Sequence, residues 1–364
     1  MIKNRTAPFI KICQNTPQLC WGDEWPSLSP GACLREAASA KAGERVRVRG
    51  NMFVHPSPSQ RLSEPAATLI LPHPSGPEAL PGWRQGGGKF FRELDAPQLC
   101  CGVLHLILRA TMKILFHDKF YESDYADNGA SVPGRLEAIM EVIGRESAFE
   151  IVRPQPANEE DVLLAHTPPY VDAVKSNHRL YDMAALAAGA AIMAADIAIT
   201  GEPAFACLRP PGHHADRESA WGYCVFCNMG IALLKLKQQR KIESAFVLDF
   251  DAHTGDGTKA VLLNWKECRI LNPYADNSQS YIQEIQNFVK EIPSVDIIGV
   301  CAGFDSYQKD VGRTLSTFDY YVIGVLMKKF AQRAASRRRF AILEGGYYLP
   351  DLGKNVLAFC QGFE

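Results

Sequence analysis

Short apolar runs and helical patterns alternate along the chain from Met112 to its last residue. Five runs of three to six mostly apolar residues predict strands at 114–116, 204–208, 245–249, 296–301 and 340–343. Segments with apolar residues at helical spacing predict helices at 135–147, 169–178, 183–200, 229–239, 280–290 and 318–335. Such an alternation is typical of a mostly parallel sheet covered by helices on both faces. We therefore predict a single α/β domain over residues 112–364.

Residues 1–111 differ from the rest of the chain in composition. They hold 12 of the 23 prolines and 13 basic against 8 acidic residues, whereas residues 112–364 hold 26 basic and 32 acidic residues. A targeting peptide would carry fewer acidic residues, and a small partner-binding domain is a second interpretation. We favour a poorly ordered N-terminal extension, or a stretch upstream of the native start codon. We therefore expect residues 112–364 to fold and to act without it.

The overall composition argues against several classes of protein. The formal net charge is −1, so we expect no nucleic-acid partner, because non-specific binding depends on neutralising phosphates. The apolar stretch 184–199 is short and carries Asp196, and we predict a buried helix there rather than a membrane span. The 11 cysteines, in a long chain whose first residues lack a secretory signal, do not indicate a disulfide framework. We therefore expect a cytoplasmic protein.

Four polar clusters each follow a predicted strand. They are Arg209-Pro-Pro-Gly-His213-His214, Asp249-Phe-Asp251-Ala-His253-Thr-Gly-Asp256, Gly303-Phe-Asp305 and Glu344-Gly-Gly-Tyr347. In an open α/β sheet, ligands bind beyond the carboxyl ends of the strands. Four such clusters at one edge of the sheet predict a functional pocket.

The second cluster carries the residue types of a metal site. Asp251 and His253 point to the same side of an extended segment, because side chains alternate with a period of two. A carboxylate and an imidazole suit a zinc-like ion, and Asp305 after the next strand is the natural third ligand. Three protein ligands would leave a position open for water and substrate. The competing interpretation is that Asp251 and His253 only cap a turn.

The remaining polar residues suit proton transfer and carbonyl activation. His213 and His214 would hold and move protons, with Asp249 and Asp256 in the facing loop to orient them. Tyr347 follows two glycines and would donate a hydrogen bond to a developing oxyanion. Taken singly, a surface histidine pair and a tyrosine packed in the core are the competing interpretations.

Together these segments resemble the histone deacetylase and acetylpolyamine amidohydrolase superfamily. The matching motifs are Arg209-Pro-Pro-Gly-His-His-Ala215, Gly222-Tyr-Cys-Val-Phe226, Asp249-Phe-Asp-Ala-His253, Gly303-Phe-Asp305 and Leu343-Glu-Gly-Gly-Tyr347. Softer matches are Pro133-Gly-Arg-Leu-Glu137 and His166-Thr-Pro-Pro-Tyr170. They occur in the superfamily's order over about residues 112–364. The resemblance implies an arginase/deacetylase-like α/β fold.

The resemblance also implies roles for individual residues. Asp251, His253 and Asp305 would bind Zn²⁺, with Fe²⁺ as the alternative ion. His214 would be the general base, supported by Asp256, and His213 would be supported by Asp249. Tyr347 would polarise the acetyl carbonyl, and Gly222 and Tyr223 would line the substrate channel. The full set of these residues is Asp249, Asp251, His253, Asp256, Asp305, His213, His214, Tyr347, Gly222 and Tyr223.

The chain also departs from the superfamily pattern. Thr254 stands where a second histidine is usual, and Ser131-Val-Pro-Gly134 replaces an early His-Pro. The segment between the ligand loop and the third ligand is shortened to 259–302. That segment normally supplies a tunnel wall and a K⁺ site, so the resemblance leaves K⁺ binding open.

Residues and resemblance together predict a zinc-dependent deacetylase. Such an amidohydrolase would use a metal-activated water to remove the acetyl group from a small acylated amine, acetyl-lysine or an acetylpolyamine. Two alternatives stay open. One is an arginase-like binuclear manganese hydrolase, and the other is a catalytically silent protein that binds acyl-amines.

Overall fold

A computed structural model describes residues 112–364, and they form one seven-stranded sheet. The strands are β1 (Met112–Leu115), β2 (Phe149–Val152), β3 (Ala204–Ala206), β4 (Ala245–Asp249), β5 (Cys268–Leu271), β6 (Ile297–Ala302) and β7 (Arg339–Leu343). Their order is β2-β1-β3-β7-β6-β4-β5, and every pair is parallel. The predicted α/β fold is confirmed. Our expectation for residues 1–111 lies outside the described residues.

Helices connect the strands. They are α1 (Arg135–Ile143), α2 (Glu159–Val162), α3 (Pro168–Lys175), α4 (His178–Ile199), α5 (Asn228–Gln238), α6 (Asp256–Leu262), α7 (Ser278–Lys290), α8 (Thr317–Ala334) and α9 (Leu349–Phe363). The six predicted helices correspond to α1, α3, α4, α5, α7 and α8. The sequence interpretation missed α2, α6 and α9, together with strands β2 and β5.

The centre of the sheet is fully buried. Every residue of β3, β4, β6 and β7 is buried, as expected for parallel strands covered on both faces. Helix α4 packs on β1, β3 and β7, and α8 packs on β6 and β7. Among the described residues, α4 is the one helix long and apolar enough to cross a membrane, and 72% of its most apolar window is buried inside the protein. This burial is what the sequence predicted for that stretch.

The strand register brings the functional loops together. Asp249 at the end of β4 pairs with Cys301 on β6, and Ala302 pairs with Leu343 at the end of β7. Beneath these ends lies an aromatic cluster in which Phe250 packs on Phe304 with ring centroids 5.6 Å apart. The Tyr320 hydroxyl donates a hydrogen bond to the Phe304 carbonyl at 3.1 Å. The loops after β4 and β6 therefore rest on a rigid apolar base.

Candidate metal centre and active site

Asp251, His253 and Asp305 converge beyond the carboxyl ends of β4 and β6. His253 Nδ1 lies 3.0 Å from Asp251 Oδ1 and 3.0 Å from Asp305 Oδ2. One ligand atom from each residue lies within 4.8 Å of the other two. Both carboxylates are buried, whereas 43% of the His253 side chain is exposed. The three groups can therefore face one ion that also contacts solvent or substrate.

Backbone hydrogen bonds hold the two carboxylates in place. Asp305 Oδ1 accepts from the Ala252 N–H at 2.9 Å, and Asp251 Oδ2 accepts from the Gly345 N–H at 2.9 Å. Two glycines leave room for these carboxylates. A Cβ at Gly303 would lie 2.0 Å from Asp251 Oδ2, and one at Gly345 would lie 2.5 Å from the same atom. The glycines of both motifs are therefore explained by the close approach of backbone to carboxylate.

The charges of this cluster fit a divalent cation. Burial and the neighbouring Asp251 raise the pKa of Asp305 to about 6. Hydrogen bonds to Asp251 and Asp305 raise the pKa of His253 to about 10. The two buried carboxylates, Asp251 and Asp305, share the one proton on His253 Nδ1, which can be donated fully to only one of them. Two buried negative charges require a compensating cation. An oxygen, oxygen, nitrogen donor set is one that Zn²⁺ and similar ions accept.

Each of the tandem histidines has its own carboxylate partner. His213 Nδ1 lies 3.1 Å from Asp249 Oδ2, and His214 Nδ1 lies 2.7 Å from Asp256 Oδ1. An ionised carboxylate only accepts hydrogen bonds, so both Nδ1 atoms carry protons, and the Nε2 of either ring can accept only while that ring is neutral. The two imidazole rings are 4.0 Å apart between centroids. The structure thus brings together the four residues that the resemblance paired.

The two histidines differ in their protonation. Burial lowers the pKa of His214 to about 4, with His213 as the next contribution, so its imidazole is neutral near pH 7. Burial also acts to lower the pKa of His213, but Asp251 and Asp249 outweigh it and raise that pKa well above the ordinary value. A cation bound by Asp251 would weaken this attraction. A neutral imidazole beside one that holds a proton suits a reaction that needs both a base and an acid.

Tyr347 lies in the loop between β7 and α9. Its ring lies 5.9 Å from the Tyr223 ring at 81°, and the Arg135 guanidinium lies 5.5 Å from the Tyr347 ring centroid. Burial raises the pKa of Tyr347 well above its ordinary value, so its hydroxyl stays a donor. Gly222 has a φ of 58°, and a Cβ there would lie 2.4 Å from His214 Cδ2. The residues predicted to line the channel therefore adjoin the tyrosine and the histidines.

Three residues that shape the site were missed as site residues by the sequence interpretation. Glu344 Oε2 accepts from the backbone N–H groups of Gly212 and His213 at 2.7 and 3.2 Å, and so holds the histidine loop against β7. Asp310 Oδ2 accepts from the N–H groups of Tyr347 and Tyr348 at 2.6 and 2.8 Å. Buried Arg135 donates to the Gly346 carbonyl at 2.9 Å. For Glu344 the sequence offers one signal, a charged residue at the end of an apolar run. For Asp310 and Arg135 it offers none, because their hydrogen-bond partners are distant along the chain.

A second group of metal-binding residue types has other functions. One ligand atom each from His213, Cys224 and Glu344 lies within 4.8 Å of the others. Burial raises the pKa of the Cys224 thiol well above its ordinary value, and its sulfur accepts from the His214 N–H.

An arginase-like second metal would need a carboxylate at position 255. Gly255 has none, and a Cβ there would lie 2.0 Å from Asp249 Oδ2.

Comparison with known proteins agrees with this geometry. The histone deacetylase domain matches residues 130–294. A histone deacetylase-like amidohydrolase from Pseudomonas aeruginosa is 26% identical over 63% of this chain and 75% of its own length. A probable deacetylase from Archaeoglobus fulgidus is 27% identical over 69% of this chain and 86% of its own length. These matches support the assignment of the chain to the histone deacetylase and acetylpolyamine amidohydrolase superfamily.

A further similar protein, the polyamine deacetylase HDAC10 from Homo sapiens, is 26% identical over 63% of this chain and 44% of its own length. The domain match ends before Asp305 and Tyr347. The assignment of these two residues therefore depends on the geometry, which places Asp305 3.0 Å from His253. The shortened segment 259–302 holds the second half of α6, then β5, α7 and β6. The neighbouring side chains of His253 and Thr254 are exposed.

Proposed function

We propose that this protein is a metal-dependent amidohydrolase that removes an acetyl group from an amine. One observation carries the proposal. The Asp251, His253 and Asp305 cluster lies beside a neutral, carboxylate-oriented histidine, His214, whose ring centroid is 5.9 Å from that of His253. Names of the superfamily members support the reaction type, since they include an amidohydrolase and several deacetylases.

The chain supplies the groups that amide hydrolysis requires. A divalent ion held by Asp251, His253 and Asp305 would polarise the carbonyl and lower the pKa of an attacking water to about 7. His214 accepts the proton of the water at Nε2, because its Nδ1–H is donated to Asp256. The Tyr347 hydroxyl donates a hydrogen bond to the developing oxyanion and keeps its proton. The protonated histidine pair then delivers a proton to the leaving amine.

Activity and metal content should be measured on the same preparation. We expect hydrolysis of an acetyl-lysine amide, an acetylated polyamine or a small acetamide, about one ion of Zn²⁺ or Fe²⁺ per chain, and loss of activity with a chelator. Activity should return when one of these ions is added. A preparation that holds its metal but hydrolyses none of the three substrates would instead support a silent acyl-amine binding protein.

We propose small acylated amines as the substrates. Among residues 112–364, 43% of the His253 side chain is exposed. We infer that the shortened segment 259–302 contributes little there that could grip a long peptide. The acidic excess of residues 112–364, 32 against 26, weakly favours a cationic amine. The name polyamine deacetylase, carried by one relative, is consistent with this class.

The substrate proposal has a direct test. We expect kcat/KM for an acetylated polyamine or free acetyl-lysine analogue to exceed that for a histone-tail peptide at the same salt concentration. A tenfold preference for the peptide, about 1.4 kcal/mol of transition-state binding, would contradict the small-substrate proposal and leave the chemistry unchanged.

A further inference from the structure

Trp221 occupies a fixed position at the edge of the active site. An antiparallel bridge between Ala215 and Ala220 closes the turn before it. Within that turn, Asp216 Oδ1 accepts from the N–H groups of Glu218 and Ser219 at 2.7 and 2.6 Å. These contacts fix the backbone before Trp221, although 49% of this large residue is exposed to solvent.

The indole makes two contacts with the same catalytic pair. Its ring stacks on the His214 imidazole, with centroids 3.7 Å apart and planes 30° apart. Its Nε1–H donates to Asp256 Oδ2 at 3.0 Å, while Asp256 Oδ1 accepts from His214 Nδ1 at 2.7 Å. Asp256 Oδ1 also accepts from the Gly257 N–H at 3.0 Å. The indole is thus the partner of Oδ2, and the imidazole and this N–H are the partners of Oδ1.

Asp256 is far more exposed to water than the histidine that it orients. Its side chain is 55% exposed, whereas the His214 side chain is 3% exposed. A carboxylate that water reaches rotates easily and loses much of its orienting effect on a histidine. The indole fixes the carboxylate through its second oxygen and covers one face of the imidazole. A charge-assisted bond of this kind is directional as well as favourable.

We propose that Trp221 is a positioning residue that holds Asp256 against His214, so that His214 Nε2 keeps a single direction toward the substrate. The inference rests on the proposed role of His214 as the base. Trp221 itself contacts no reacting atom in this scheme. Its substitution should therefore change kcat and leave KM nearly unchanged.

Two substitutions separate the two contacts. Trp221→Phe keeps an aromatic ring for stacking and removes the N–H donor, and Trp221→Leu removes both. A bond from a neutral donor to a carboxylate is worth about tenfold in an equilibrium or a rate, so we expect kcat to fall about tenfold in Trp221→Phe. We expect a larger loss, about a hundredfold, in Trp221→Leu, with KM within twofold of wild type in both.

Trp265→Phe is the matched control. Trp265 Nε1 donates to the Glu243 carbonyl at 2.9 Å, so this variant also loses one indole hydrogen bond, but away from the site. We expect its kcat to stay within twofold of wild type at a temperature where all variants are folded. A kcat within twofold of wild type in both Trp221 variants would overturn the proposal. So would a loss expressed in KM alone, which would make Trp221 a substrate contact.

A second measurement does not depend on turnover. The ¹⁵N resonances of His214, assigned in the full chain, report which ring nitrogen carries the proton. We expect the Nδ1–H tautomer in wild type and in Trp265→Phe, and a mixture of tautomers in Trp221→Phe. Unchanged His214 resonances in Trp221→Phe would refute the positioning role even if the wild-type protein hydrolysed none of the substrates tested.

Discussion

Asp310 contributes both to the stability of the protein and to the position of Tyr347, because its carboxylate binds the backbone there. Its Oδ2 accepts two short bonds, 2.6 Å from the Tyr347 N–H and 2.8 Å from the Tyr348 N–H, in the two residues directly before α9. Asp310→Ala removes both bonds and leaves two backbone N–H groups just before α9 without this partner. With about 1.5 kcal/mol for each charge-assisted bond, the free energy of unfolding should fall by about 3 kcal/mol.

The same substitution should release Tyr347 from its position. For a domain of about 250 residues, 1 kcal/mol corresponds to about 2–4 °C in Tm, so calorimetry should show a decrease of about 6–12 °C. Because a misplaced oxyanion donor costs about a hundredfold in rate, kcat on an acetyl-lysine amide should fall by that factor at temperatures where the variant is folded. Bound metal should be retained.

Controls separate the two effects of Asp310→Ala. Asn158 Oδ1 accepts from the Asp161 N–H at 2.8 Å, so Asn158→Ala also loses a side-chain bond to a backbone N–H, away from the site, and should lower Tm without lowering kcat. Asp310→Asn keeps one acceptor oxygen and should recover part of both quantities. If Asp310→Ala is folded and its kcat lies within threefold of wild type, the reasoning that Asp310 positions Tyr347 is wrong.

Three further predictions concern the metal cluster, the tyrosine and a buried histidine. Asp251→Ala, His253→Ala and Asp305→Ala should each lose bound metal and activity, and full metal occupancy in Asp305→Ala would contradict its assignment as a ligand. Tyr347→Phe should retain metal while kcat falls about 10²–10³-fold, whereas the neighbouring Tyr348→Phe should be nearly normal; equal rates for both would show that the Tyr347 hydroxyl has no role. His166 accepts from the Cys227 N–H at 2.9 Å, and burial lowers its pKa to about 4. The unfolded chain, with a histidine pKa near 6.5, binds the extra proton between pH 6.5 and 4, so stability should fall by about 3 kcal/mol as the pH is lowered through this range. Urea unfolding of His166→Gln, which keeps an acceptor, should show a smaller decrease, and identical pH profiles would refute the assignment.

The sequence alone predicts the central strands, because strands that are buried on both faces consist mostly of apolar residues. Strands β4, β6 and β7 are buried on both faces and are therefore apolar except for Asp249 at the end of β4 and Arg339 at the start of β7. Strands β2 and β5 lie at the two edges of the sheet, where exposed charged residues such as Glu150 and Arg269 interrupt the apolar pattern. Their pairing with β1 and β4 is a tertiary property, and so the sequence interpretation missed both.

The candidate site divides in the same way. The residue types that suit a metal and proton transfer follow the strands closely, so that Asp251, His253 and Asp305 were predicted from their places after β4 and β6. The residues that orient them act across the fold: Glu344 supports a loop 131 residues away, Asp310 supports Tyr347, and Trp221 contacts Asp256. Local sequence records which chemical groups are present. Only the packing of the loops decides which backbone and side-chain donors meet them, because those contacts form between segments that are distant along the chain.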